Sequence, residues 1–146
     1  MLRLTLSAAC IALFLAALPA RASRSTTPDD SEQLLEHMEG LKENLKGVAM
    51  SLQGTDTSAT LRHVAEMQRL VLLAKLLAPS NLDEQPAADQ DKHRVEFRSD
   101  LIGLLKELAD MELEILAGKP ADAFKRVTGS LYKMREEAHA AYQRSE

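Results

Sequence analysis

Four apolar seams, each repeating at alternating steps of three and four residues, constrain this chain more than any other feature. The first runs Leu34, Met38, Leu41, Leu45, Val48 and Leu52, at steps of 4, 3, 4, 3 and 4. The second runs Val64, Met67, Val71, Ala74 and Ala78; the third runs Phe97, Leu101, Leu104, Leu108, Met111 and Ile115. The fourth runs Phe124, Val127, Leu131, Met134, Ala138 and Ala141. Such spacing lays one apolar stripe along one face of a helix. A helix with one apolar stripe needs a neighbour to cover it.

The punctuation between the seams agrees. Pro28-Asp29-Asp30-Ser31 is a start signal, with acidic residues placed to suit a helix N-terminus. Gly54 to Ser58 ends the first segment and supplies a cap for the second. Pro79-Ser80-Asn81 stops the second. Residues 79–91 read as an exposed connection. Gly118-Lys119-Pro120 closes the third segment and opens the fourth: Gly suits a left-handed stop and Pro the first helical turn. No strand-length segment alternates at period two. The sequence therefore predicts an all-α fold, an antiparallel up-down-up-down four-helix bundle.

Residues 1–22 read as a cleavable signal peptide, and residues 23–146 as the bundle domain. Met1-Leu2-Arg3 is a short positive start, Leu4 to Leu18 is almost wholly apolar, and Ala20-Arg21-Ala22 fits a cut before Ser23. The apolar run falls short of the ~20 residues that span a membrane. Export to the periplasm is expected, with no stable membrane insertion after cleavage. Cleavage removes Arg3, Arg21 and the single cysteine, Cys10, leaving 16 basic against 22 acidic side chains, a net of −6. A mature chain without cysteine has no disulfide, no thiolate metal site and no thioether-linked haem. Its acidity argues against nucleic acid.

The catalytic inventory is thin. There is no phosphate-binding Gly-rich loop and no nucleophile elbow, so no enzyme is expected. His63 and His93 stand in polar stretches and are expected on the surface; His37 is expected at an edge. Met50, Met67, Met111 and Met134 are expected as core filler.

Met38 and His139 are distinguished by position. In an up-down bundle the start of the first helix and the end of the last lie together. Met38 falls about 10 Å along its helix from Ser31, and His139 about 7–8 Å before Arg144. A thioether and an imidazole facing each other at one depth suit the two axial positions of haem iron. Leu34, Leu41, Leu45, Met67, Phe97 and Leu101 would line that end. Core packing accounts for Met38 equally well, and loose copper or nickel capture is a third possibility.

Residues Leu34 to Lys46, with Met38-Glu39 ahead of Leu41 and then Asn44-Leu45-Lys46, resemble the opening helix of the periplasmic cytochrome b562 family. Leu131, Arg135, His139 and Tyr142 resemble its closing helix. Met67 and Glu96-Phe97-Arg98 occupy comparable places between them. The resemblance covers nearly all of residues 30–144. It implies one haem b bound non-covalently, with Met38 and His139 as axial ligands and Arg135 and Tyr142 near the haem. It implies single-electron transfer to a periplasmic redox partner that the sequence does not name, by a monomer. Leu101 stands where the family often has Phe, Ala138 where it often has Tyr, and Gln143 replaces a basic residue. Those departures favour a rival reading, a haem-free exported bundle acting in binding or stress protection.

Overall fold

A computed structural model of the chain describes residues 28–54 and 56–143. The expected signal peptide over residues 1–22, the cut before Ser23 and Cys10 lie outside the described residues. Every regular element among the described residues is helical. They are α1 (Pro28–Gln53), α2 (Thr57–Ala74), a 3-10 turn (Leu82–Glu84), α3 (Gln90–Leu116), and a fourth segment. That segment joins α4 (Pro120–Arg126), a π turn (Val127–Leu131) and α5 (Tyr132–Tyr142). The class expected from the sequence is the class observed. No helix among the described residues is long and apolar enough to cross a membrane.

The boundaries follow local chemistry. The Asp56 carboxylate accepts from the Ala59 amide at 2.9 Å and caps α2, an interaction worth about 1 kcal/mol. Gly118 takes φ +71° just after α3, a conformation that costs glycine nothing. Pro120 then occupies the first turn of α4.

The seams make one core. Leu34, Leu41, Val48 and Leu52 of α1 are buried with Val64, Met67 and Val71 of α2 and with Phe97, Leu101, Leu108, Met111 and Ile115 of α3. Between α1 and α2, Thr60 Oγ1 lies 2.8 Å from Ser51 Oγ and His63 Nδ1 lies 2.9 Å from Asn44 Oδ1. Gly40 of α1 backs onto the Leu70 side chain. Between α2 and α3, the Gln68 amide donates to Glu112 at 2.8 Å. Between α3 and the fourth segment, Arg126 donates to Glu107 and Glu114 at 2.8 and 2.9 Å, and Ser130 Oγ donates to Glu107 at 2.8 Å. The closest backbone approaches of α1 to the fourth segment lie at α4 and the π turn.

Two expectations need correction. Residues 79–91 are not wholly exposed: Pro79 and Leu82 are fully buried, because this stretch packs against α3 and bonds to the end of α5. The fourth seam does not reach Ala141, which is exposed, while Tyr142 is buried. Ala138 still packs on the core, and Tyr142, one turn further on, continues that face while Ala141 falls beside it.

Candidate functional site

The seam residues singled out as a haem pocket gather at one end of the core. A shallow, open cleft at the other end is lined by Leu52 and Gln53 of α1 and by Pro120, Ala121 and Phe124 of α4. That cleft puts the end of α1 level with the start of the fourth segment. Met38 stands about four helical turns before Leu52, and His139 about four turns after Phe124, each about 21–23 Å from that level at 1.5 Å per residue. The residues around the end of α2 lie beside both. Leu70 packs on Gly40, while Ser80 Oγ donates to the Tyr142 carbonyl at 2.8 Å and Asn81 Nδ2 to the Ala141 carbonyl at 2.9 Å. At that rise Met38 and His139 fall at similar distances along their own helices from that level.

Their surroundings differ. Met38 and Leu45 are half-buried and pack on the core, while His139 is exposed on the flank of α5. Leu34, Leu41, Met67, Phe97, Leu101 and Tyr142 are buried. Arg135, one turn before His139, is partly buried. Its guanidinium carbon stands 5.7 Å over the Tyr132 ring. Its Nε is buried and meets no acceptor among the described residues. A buried guanidinium nitrogen without an acceptor suits an anionic group arriving from outside the chain.

A second cluster, which sequence reasoning missed, holds α5 in place. The Tyr142 hydroxyl donates to Asp100. The Tyr142 ring meets Phe97 edge-on at 5.0 Å and the His93 ring at 5.2 Å. His93 Nε2 lies 2.8 Å from Asn81 Oδ1. The amide of Asn81 is committed to Ala141, so its Oδ1 takes the proton of His93 Nε2. Burial, and then the hydrogen bond to Asp100, push the Tyr142 phenol well above its ordinary pKa. Asn81 and His93 gave no sequence signal, because their partners lie far along the chain.

His63 and His93 are thus corrected from surface residues to half-buried ones held by Asn44 and Asn81. Met50, expected in the core, is 73% exposed, because it stands off the seam. Met67 and Met111 are core, and Met134 is half-buried. Among the described residues, no group of three or more His, Cys, Asp or Glu side chains is placed to hold a metal ion.

The chain matches no protein-family model, and no curated protein matches it in sequence. The resemblance to the cytochrome b562 family read from the sequence therefore rests only on the residues quoted above. The donor set fits haem b in kind: one thioether, one imidazole, apolar walls and one guanidinium nitrogen lacking an acceptor.

Proposed function

We propose that the chain is an antiparallel up-down-up-down bundle of the periplasm that binds one haem b non-covalently at its Met38–His139 end and carries single electrons. The bundle is supported by contacts that pair rising with falling residue numbers: Ser51 with Thr60 and Gly40 with Leu70, then Glu114 with Arg126 and Asp100 with Tyr142. What supports the haem reading is the helix rise, which sets Met38 and His139 at similar depths, together with Arg135 Nε, one turn before His139, buried and without an acceptor among the described residues.

Bound there, haem b would supply a one-electron couple. Met38 on α1 would offer it a thioether and His139 on α5 an imidazole nitrogen. Arg135 would offset a propionate charge. Leu34, Leu41, Leu45, Met67, Phe97 and Leu101 exclude water. These side chains already touch, so seating a macrocycle requires α5 to move away from α1. The tethers of α5 run to Ser80, Asn81 and Asp100 rather than to α1, which leaves that movement open. The Tyr142 clamp keeps the end of α5 anchored to α3 meanwhile.

Titration with hemin tests the reading. The expected result is one equivalent bound, with sharp reduced α and Soret bands. Met38→Ala is expected to leave a weakened complex of altered spin, and His139→Ala to abolish stable binding. Wild-type spectra from both variants would remove the ligand assignment, and no binding by the native chain would remove the haem. The closed packing of the lining favours the second reading, a haem-free exported bundle, and that outcome would select it.

A further inference from the structure

α3 carries a second seam that the core does not cover. Ile102, Lys106, Ala109, Leu113 and Leu116 repeat at steps of 4, 3, 4 and 3, and all five are exposed. Ile102, Leu113 and Leu116 expose 51%, 64% and 63% of their area. The Gln68–Glu112 hydrogen bond marks the side of α3 that faces α2. At 100° per residue, Leu116, Ala109 and Ile102 lie about 40°, 60° and 80° round from Glu112, toward solvent. Leu72, one turn beyond Gln68 on α2, and Leu76, in the turn just past the end of α2, are 52% and 65% exposed. Past the Gln68–Glu112 contact, α2 runs toward Asn81 while α3 runs back toward His93, and those two are joined. Leu72 therefore falls toward Ala109, across the groove between the helices, and Leu76 continues the apolar surface beyond the helix end.

We propose that this α2–α3 face pairs with the same face of a second copy of the chain about a two-fold axis. The five large side chains present on the order of 500 Å² of apolar surface in each copy, near the upper limit of what a lone protein leaves exposed. Two such faces remove about 1,000 Å² on full contact, the size of a weak, reversible pairing. A two-fold pairing needs only one self-complementary patch. A seam of period 3.5 runs straight along its helix, so two copies of α3 can lie together over several turns. Charge does not oppose the contact even though the chain is acidic. Glu107, Asp110 and Glu114 turn to Arg126, Glu112 is bound to Gln68, and the seam itself carries only Lys106. A pair replaces the monomer expected from the sequence. It stands apart from the haem reading and leaves the α1–α5 side free.

Sedimentation of protein made from the full chain tests the proposal. The native protein and Leu35→Glu, an exposed change on α1, are expected to sediment at twice the chain mass at about 100 µM, where interfaces of this size associate. Leu113→Glu and Ile102→Glu are expected to sediment at once that mass with unchanged helical circular dichroism. Should either lose helicity, Leu113→Ser gives the same reading. A native monomer at that concentration, or dimers that survive the α3 substitutions, would overturn the proposal. So would a monomer that binds phosphatidylglycerol vesicles through Leu113, which would give the face to lipid.

Discussion

Tyr142, the last residue of α5, donates its phenolic hydrogen to Asp100 of α3, while its backbone carbonyl accepts from Ser80 beyond α2. One residue thereby joins three parts of the chain at the candidate site. Tyr142→Phe loses only the hydroxyl contact, at a cost of about 1 kcal/mol because Asp100 is solvent-exposed. Tyr142→Ala also loses the ring against Phe97 and His93, at a cost of about 3 kcal/mol. Urea unfolding separates the two; equal losses would mean that the ring contributes nothing.

The same phenol sets an alkaline limit. Burial and Asp100 raise its folded pKa above the ordinary value, so its contribution is complete below about pH 10, the unfolded value. It is lost as pH rises toward the folded value. Melting temperature followed from pH 8 upward is expected to fall beyond that point. Tyr142→Phe is expected to fall less steeply.

An acid limit arises at the π turn. The Ser130 hydroxyl first, and then Arg126, hold the Glu107 carboxyl below its ordinary range. Stability from this group is present above the ordinary carboxylate value and drains away as pH falls through the folded one. Glu107→Gln is expected to cost about 1 kcal/mol at neutral pH, since the pair is about one quarter exposed. It is also expected to flatten the acid limb of the stability curve. An unchanged limb would show that Glu107 titrates alike in both states.

Gly47 is required by His63. A Cβ on Gly47 would fall 2.5 Å from His63 Cε1, so the ring must leave and its bond to Asn44 is lost. Gly47→Ala is expected to cost about 1–3 kcal/mol. In the double variant with His63→Ala the added methyl has room, so the two costs should not add. Simple additivity in urea unfolding would show that the two positions do not compete for space.

The seams made the helices legible, because period and punctuation are local properties. Leu34, Val48, Val64, Leu108 and Ile115 are buried where the spacing puts them. The stop at Gly118 and the start at Pro120 are equally local. The candidate site was legible only in part. The common depth of Met38 and His139 follows from helix lengths, which a sequence carries. The exposure of His139 was legible as well, since it stands about 100° round from the seam residue Ala138. The clamp around Tyr142 was not: Asn81, His93 and Asp100 stand in polar stretches, and only the fold shows that they meet.

The π turn carries one residue more than an unbroken helix needs, and that spare residue makes it a place where the fourth segment tolerates a deletion. Removing Gly129, where an added Cβ would meet nothing within 4 Å, takes out the extra residue together with its wider loop, so Tyr142 would keep its hold on Asp100. Removing a residue between Tyr132 and Tyr142, where none is spare, would turn the remainder by about 100° and swing the phenol away.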